Sequence, residues 1–216
     1  MRKTLIFDLD GTLLYTLVDL LNSTNYALEK LGYQPRTLEE IQASVGNGLR
    51  MLMRLSLPES APEEAVDLLL KTMKAHYIEH CHDCTAPYDG IIPLLHRLQD
   101  EGFYMAVASN KADPMVQIIR KLYFNKLIPV AVGESERCAR KPAADMVLDA
   151  LYKLGRPIDD AIYIGDSEVD ILTAQNAGIP CLCVGWGYRS PEELLKYGAK
   201  EVISSPEELY NALHRS

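Results

Sequence analysis

Apolar residues in the first third of the chain recur at helical spacing, after one short apolar run near the start. That run, Leu5-Ile6-Phe7, predicts a buried strand because it is short and uninterrupted. Between about residues 17 and 80 the apolar positions fall on helical stripes, and no stretch there predicts a strand. Thr37-Leu38-Glu39-Glu40 and Ser60-Ala61-Pro62-Glu63 match the capping-box pattern that opens a helix. The pattern therefore predicts a helical bundle inserted after the first strand.

From Pro87 onward the pattern changes to short apolar strands that alternate with amphipathic helices. Further strands are predicted at residues 105–108, 130–132, 162–164, 181–184 and 202–203. Such alternation implies a parallel sheet that is covered by helices on both faces. We therefore predict an α/β protein with a Rossmann-like parallel sheet core in residues 1–14 and 85–216. Residues 15–84 are predicted to form an inserted all-helical domain.

Composition and charge exclude several classes of protein. The chain has 216 residues and a formal net charge of −8, without the basic stripe that nucleic-acid binding requires. No run approaches the roughly 18 apolar residues of a membrane span, and the start lacks the apolar core of a signal peptide. Five scattered cysteines, an odd number, predict reduced thiols. A cytoplasmic protein without nucleic-acid or membrane partners is the expectation.

Polar residues end three of the predicted strands. They are Asp8-Leu9-Asp10 after the first strand, Ser109-Asn110-Lys111 after the second, and the segment from Gly165 to Asp170 after the fourth. Lys141-Pro142 lies just ahead of a helix whose first turn is predicted to carry Pro142. Ligands of parallel sheets bind beyond the carboxyl ends of the strands. These groups are therefore candidates for one common site.

Asp8 and Asp10 are the most informative of these residues. Side chains alternate along a strand, so both carboxylates are predicted to point the same way, and Gly11 lets the chain turn after them. Two such charges repel unless a cation or proton is shared between them. With a metal bound, one could act as nucleophile and the other as acid and base. The alternative is a turn whose acids are merely solvated.

Carboxylates from several strand ends, together with a lysine, suit Mg²⁺ and a phosphoryl group, whereas zinc would favour His and Cys. Ser109 can hold phosphate oxygens, and Lys141 can offset negative charge. Each residue has a simpler alternative: Ser109-Asn110 as a loop start, Lys141 as a surface cation, Asp166 as a helix cap, Asp170 as a solvated charge. The cluster from His80 to Cys84 lacks a second pair at zinc spacing, which favours a helix end over a metal site.

The order and spacing of these motifs resemble those of haloacid-dehalogenase-superfamily phosphatases, in the phosphoglycolate-phosphatase-like subgroup that has a helical cap. The first motif is Asp8-Leu9-Asp10-Gly11-Thr12-Leu13, and the second is Ser109-Asn110-Lys111. Lys141-Pro142 fits the third, and Gly165-Asp166-Ser167 with Asp170 fits the fourth. The resemblance runs nearly end to end.

The resemblance implies a role for each of these residues. Asp8 would attack phosphorus and form an aspartyl-phosphate, and Asp10 would protonate the leaving alcohol and then activate water. The implied Mg²⁺ ligands are Asp8, Asp10 through its backbone carbonyl, and Asp166, with Asp170 directly or through water. The implied phosphoryl and substrate contacts come from Ser109, Lys141, Asn110, Gly11 and Thr12.

Residues 15–84 would form the cap of such an enzyme. The segment from Val45 to Arg50 resembles the part of the cap that faces the substrate, so Arg50 could pair with a substrate carboxylate. Its alternative is a solvated helix charge. Relatives usually carry Asp-Ser where this chain has Tyr15-Thr16, at the passage into the cap. The resemblance therefore does not predict the hinge geometry or the exact substrate.

The leading hypothesis is therefore a Mg²⁺-dependent phosphatase of a small phosphorylated metabolite, with phosphoglycolate as the first candidate. The alternatives are a phosphomutase of the β-phosphoglucomutase type, a pyrophosphatase, and a non-catalytic phosphate-binding protein on the same scaffold. The sequence gives no prediction of the oligomeric state.

Overall fold

The computed structural model describes residues 3–215, which divide into two compact units. One unit comprises residues 3–14 and 87–215, and the other is Tyr15–Ala86. The chain returns to the α/β unit at Pro87, two residues after the predicted boundary between residues 84 and 85. The reason is Asp19, whose carboxylate accepts the backbone N–H groups of Cys84 and Thr85 at 2.9 Å each and so holds them in the helical unit.

The strands are β1 (Thr4–Phe7), β2 (Leu14–Tyr15), β3 (Ala86–Pro87), β4 (Tyr104–Ala112), β5 (Val130–Glu134), β6 (Ala161–Gly165), β7 (Cys181–Val184) and β8 (Val202–Ile203). Strands β2 and β3 form a two-stranded sheet. The other six form a parallel sheet in the order β5-β4-β1-β6-β7-β8. Every predicted strand is present, and β4 continues four residues past its predicted end.

The helices of the helical unit are α1 (Leu17–Lys30), α2 (Leu38–Ser44), α3 (Gly48–Ser56) and α4 (Glu63–His80). Those of the α/β unit are α5 (Ile91–Asp100), α6 (Asp113–Tyr123), α7 (Asp145–Leu154), α8 (Glu168–Ala177), α9 (Pro191–Lys196) and α10 (Pro206–His214), with a 3₁₀ turn at Ile158–Asp160. No helix within residues 3–215 has both the length and the apolar character needed to cross a bilayer.

Both faces of the parallel sheet are covered. On one face, Ile6, Ala106 and Ala108 pack against apolar residues of α7 and α8. Leu5 and Phe7 alternate with Ile6 and therefore point to the opposite face, where both are also fully buried. The predicted Rossmann-like α/β core is confirmed.

Strand β1 lies at the centre of the sheet, and this position determines which loops meet. Phe7 is in register with Val107 of β4 and with Ile164 of β6. The N–H of Asp8 extends the pairing by donating to the Ile164 carbonyl at 2.8 Å. The residues that follow β1 and β6, and those of β4 after Val107, therefore lie side by side at one edge of the sheet.

Of the two capping boxes predicted in the helical unit, one is present. The capping box at Thr37 is confirmed, because Thr37 Oγ1 accepts the Glu40 N–H and Glu40 accepts the Thr37 N–H. The capping box at Ser60 is wrong: α4 begins at Glu63, and Pro62 holds the N-cap position without a side-chain hydrogen bond. α4 ends at His80, as the helix-end interpretation of residues 80–84 expects, and His80 Nδ1 lies 2.7 Å from the Asp83 carboxylate.

Candidate active site

Three carboxylates meet at the edge of the sheet where β1 and β6 end. Asp8 follows β1 directly, Asp166 follows β6 directly, and Asp170 lies in the first turn of α8. All three are buried, and one oxygen of each lies within 4.8 Å of the others. No other group of three or more His, Cys, Asp or Glu residues comes this close within residues 3–215. We refer to these three residues as the aspartate triad.

Lys141 is the cation that faces the aspartate triad. Its Nζ lies 2.8 Å from Asp8 Oδ1 and 2.7 Å from Asp170 Oδ1, and its side chain is only 3% exposed. Burial alone lowers the pKa of the Lys141 ammonium, but Asp170 and Asp8 raise it by more, so the pKa lies well above its usual value. Lys141 therefore stays charged and bridges the two carboxylates.

The backbone of Lys141 is held by Asn110. The Lys141 N–H donates to Asn110 Oδ1 at 2.7 Å, and Asn110 Nδ2 donates to the Lys141 carbonyl at 3.1 Å. The prediction that Pro142 lies in the first turn of a helix is wrong, because Pro142 lies in a turn and α7 begins only at Asp145. The phosphoryl contact of Asn110 stays a prediction, since both ends of its amide bind Lys141 here.

Asp170 accepts hydrogen bonds from five donors. Oδ1 receives Lys141 Nζ and the Tyr163 hydroxyl, at 2.7 and 3.1 Å. Oδ2 receives the N–H of Asp166 at 3.2 Å and both the N–H and the hydroxyl of Ser167, at 3.1 and 2.7 Å. Protein donors thus engage both oxygens, which favours an indirect role of Asp170 toward a metal. Nothing in the sequence pattern distinguished Tyr163 from an ordinary buried strand residue.

Asp166 lies in a close-fitting enclosure. Its Oδ1 accepts the Thr12 hydroxyl at 3.0 Å, and its Oδ2 accepts the N–H of Tyr188 at 2.8 Å. A Cβ at Gly11, where φ is +91°, would lie 2.4 Å from Asp166 Oδ2, and one at Gly187 would lie 2.3 Å from Asp166 Cβ. Only glycine therefore fits at these two positions.

The electrostatics of the aspartate triad favour a bound cation. Burial, then the charge of Asp170, raises the pKa of Asp166 to about 7. Burial also raises the pKa of Asp8 well above its usual value, against the lowering effect of Lys141, and the charges of Asp170 and Asp166 raise it further. Three acids face one ammonium, and their oxygens are the donors that hard divalent cations prefer. The residues present thus fit Mg²⁺ and lack the His and Cys donors of a zinc site.

This electrostatic imbalance predicts that divalent-cation binding weakens as the pH falls through about 7. The folded-state pKa of Asp166 exceeds its ordinary value of 3.8. Without metal, folding stability therefore falls as the pH rises from about 4 to 7, because the unfolded chain gives up this proton more easily. A cation must displace the proton, so its affinity is expected to fall about tenfold per pH unit below 7.

Thermal unfolding with and without Mg²⁺ at pH 8 and pH 5.5 measures this effect. The Mg²⁺-induced rise in Tm is expected to be large at pH 8 and small at pH 5.5 in the wild type. In Asp166→Asn it is expected to be small at both pH values. A rise of equal size at both pH values in the wild type would contradict the prediction.

Asp10 is not a member of the aspartate triad. The prediction that strand alternation places it beside Asp8 is wrong in its premise, because β1 ends at Phe7 and Asp10 belongs to the turn that follows. Asp10 Oδ1 accepts a hydrogen bond from Lys111 Nζ at 2.8 Å. Each of the two acids therefore has its own lysine. The sequence analysis gave Lys111 no role, although its place directly after Ser109-Asn110 was a signal.

Two further residues complete this edge of the sheet. Ser109 is buried, and its Oγ accepts the N–H of Lys111 at 3.2 Å. Trp186 Nε1 donates to the Thr12 carbonyl at 3.0 Å. The structure thus brings together, within the α/β unit, nearly all of the predicted site residues: Asp8, Asp10, Gly11, Thr12, Ser109, Asn110, Lys141, Asp166 and Asp170.

Arg50 belongs to the helical unit. It lies on α3, half exposed, and forms ion pairs with Glu63, at 2.6 Å, and with Asp67. A substrate carboxylate would have to displace these two acids. The predicted substrate contact of Arg50 stays a prediction.

Comparisons with known proteins identify the family of this chain. Residues 5–184 match the profile of the family described as haloacid dehalogenase-like hydrolases. Phosphoglycolate phosphatase of Rhodobacter capsulatus is 36% identical over 93% of this chain and 92% of that protein. The enzyme of the same name from Agrobacterium fabrum is 34% identical over 85% and 80%. The crystal structure of a candidate phosphoglycolate phosphatase from Lactobacillus delbrueckii subsp. bulgaricus matches with a TM-score of 0.93, at 35% identity and 98% coverage of both chains.

Proposed function

Because this chain belongs to the haloacid dehalogenase-like hydrolase family, we propose that it is a Mg²⁺-dependent phosphatase whose substrate is a small phosphomonoester resembling phosphoglycolate. The family and the enzyme class identified from the sequence, a phosphoric monoester hydrolase, are confirmed. One observation carries the proposal. A buried carboxylate, Asp8, follows the central strand and contacts a buried ammonium, Lys141, within a triad of acids that fits a divalent cation.

Asp8 is the proposed nucleophile. A carboxylate oxygen attacks phosphorus, the bond from phosphorus to the leaving oxygen breaks, and an aspartyl-phosphate forms. Lys141 orients the attacking carboxylate and offsets the negative charge of the phosphoryl group. Ser109, on the neighbouring strand β4, is the proposed hydroxyl donor to a phosphoryl oxygen.

Asp10 is the proposed acid and base. It gives a proton to the leaving alkoxide in the first step, and in the second it takes a proton from the water that attacks the aspartyl-phosphate. The bond between phosphorus and the Asp8 oxygen then breaks, which releases inorganic phosphate, restores the Asp8 carboxylate and leaves Asp10 protonated for the next cycle. Asp10 is the more exposed of the two acids, which suits a group that meets substrate and water in turn.

Asp8 and Asp166, with the backbone carbonyl of Asp10, are the proposed holders of Mg²⁺, and Asp170 orients Lys141 and the loop that carries Asp166. A bound Mg²⁺ supplies charge neutralisation at the phosphoryl oxygens.

The test is phosphate release from phosphoglycolate, sugar phosphates, nucleotides and pyrophosphate, with Mg²⁺ and with chelator. We expect turnover of a small phosphomonoester that requires Mg²⁺. Absence of release from every compound would overturn the proposal. Preference for pyrophosphate, or an isomerised sugar phosphate as product, would assign one of the two alternative enzymes. A long-lived phosphoryl adduct on Asp8 without turnover would assign the non-catalytic role.

Arg50 is proposed to bind the carboxylate of the substrate. Arg50→Gln is then expected to raise the KM for phosphoglycolate about tenfold, the worth of one charge-assisted hydrogen bond, and to leave the KM for ethyl phosphate unchanged. Arg54→Gln is the matched control, because Arg54 lies on the same helix and donates to the backbone carbonyls of Pro58 and Ala61. An equal KM for phosphoglycolate in Arg50→Gln and wild type would leave Arg50 as an ion-pairing residue only.

The cytoplasmic location, and the expectation that neither nucleic acid nor membrane is a partner, stay predictions from the sequence.

A further inference from the structure

Lys111 forms an ion pair that the mechanism above does not use. Its side chain is 2% exposed, and its Nζ lies 2.8 Å from Oδ1 of Asp10, whose side chain is 16% exposed. An ammonium buried to this degree is costly unless it is paired. The second lysine of the site, Lys141, is committed to Asp8 and Asp170. Each acid assigned to the chemistry thus has a separate buried cation.

We propose that Lys111 is the positioning residue of Asp10: it holds the carboxylate of the acid and base in the orientation from which it serves the leaving oxygen and the incoming water. This inference rests on the proposed function. Lys111 acts through Asp10 and does not itself transfer a proton.

The two residues differ in how firmly their backbones are held. Lys111 belongs to β4, between Ala108 and Ala112, which both pair with β5 although the register shifts between them, and its N–H donates to Ser109 Oγ at 3.2 Å. Asp10 lies in the turn after β1, and its backbone joins only an isolated bridge to Leu14. A carboxylate on a turn has several rotamers, and one contact to a rigid strand selects among them. Misplacement of a catalytic group by about 1 Å can reduce a rate about 100-fold.

A general acid matters most when the leaving group is a poor one. The alkoxide that leaves phosphoglycolate requires a proton, whereas the p-nitrophenolate that leaves p-nitrophenyl phosphate is stable without one. The ratio kcat/KM reports the steps up to the first irreversible one, here formation of the aspartyl-phosphate. Lys111→Met is therefore expected to lower kcat/KM for phosphoglycolate about 100-fold and that for p-nitrophenyl phosphate less than about fivefold.

A double-variant comparison separates positioning from a general loss of structure. If Lys111 acts through Asp10, Lys111→Met adds less than about twofold to the loss already caused by Asp10→Asn. Lys111→Arg, which keeps the charge, is expected to recover part of the phosphoglycolate activity. Lys121→Met, on the exposed face of α6, is the control for removal of a lysine.

The outcomes distinguish failure of the inference from failure of the proposed function. A wild-type protein that hydrolyses neither compound would overturn both. A wild type that is active, with Lys111→Met lowering kcat/KM equally for both compounds or for neither, would overturn the role of Lys111 alone. The role of Lys111 would also be overturned if the losses of kcat/KM caused by Lys111→Met and by Asp10→Asn multiplied in the double variant. If Lys111→Met does not fold, Lys111→Gln, which keeps a hydrogen-bond donor of similar length, provides the same comparison.

Discussion

Asp8→Asn is expected to lower kcat for phosphate release by at least about 10⁴-fold, a loss comparable to that on removing the nucleophile of other hydrolases. An amide oxygen does not attack phosphorus, so the aspartyl-phosphate cannot form. Phosphate release from the best substrate of the wild type, in saturating Mg²⁺, measures the effect.

The same variant is expected to remain folded. Lys141 keeps a second carboxylate partner, Asp170 at 2.7 Å, so replacing Asp8 with a neutral amide leaves no buried ammonium unpaired. Its free energy of unfolding, from urea titration, should therefore not account for the loss of activity. Asp149→Asn is the matched control, because Asp149 lies on α7 in an exposed ion pair with Lys153 and its loss should leave kcat unchanged. A kcat of Asp8→Asn within tenfold of wild type would exclude Asp8 as nucleophile.

Lys141→Met is expected to reduce both activity and stability. Removing one partner of a buried ion pair typically costs about 3–5 kcal/mol of unfolding free energy, because the charges left behind are uncompensated. Asp8 and Asp170 would be left in this way, and Asp8 would also lose the group that orients it. Urea unfolding at pH 8 measures the loss of stability, and phosphate release measures the loss of kcat.

The pH dependence of this loss provides a second check. Because the folded-state pKa of Asp8 is already raised, lowering the pH lets Asp8 take up a proton, so the destabilisation of Lys141→Met should shrink toward pH 5. Lys153→Met, which removes a lysine from an exposed pair, is expected to cost at most about 1 kcal/mol. A Lys141→Met protein as stable as wild type at pH 8 would contradict the electrostatic account of the site.

The sequence alone was sufficient to place most of the site. Asp8, Ser109 and Asp166 each follow or end an apolar run, and in a parallel sheet the carboxyl ends of neighbouring strands share one edge. The site therefore follows from the fold class, without knowledge of the strand order. The predicted alternation of strands and helices likewise placed a helix after β6, and α8 there begins at Glu168 and ends at Ala177, directly before Gly178.

Pairings between side chains were not predictable in the same way. The ion pair of Lys111 with Asp10 depends on a turn that begins one residue after Phe7, and alternation along a strand does not describe a turn. The acids that pair with Arg50 come from another helix of the same unit, at a separation of 13 and 17 residues. Periodicity specifies the face on which a residue lies but does not specify its partner on another element.

The hydrogen bond from Trp186 to the Thr12 carbonyl spans 174 positions of the chain. Two residues further on, the N–H of Tyr188 donates to Asp166, whose other carboxylate oxygen accepts the Thr12 hydroxyl. During biosynthesis Asp8, the proposed nucleophile, is therefore made long before the segment that completes its surroundings. A nascent chain that has not yet reached Tyr188 carries Asp8 without the loop that encloses Asp166. The full set of contacts around these acids can form only after Tyr188 has been translated.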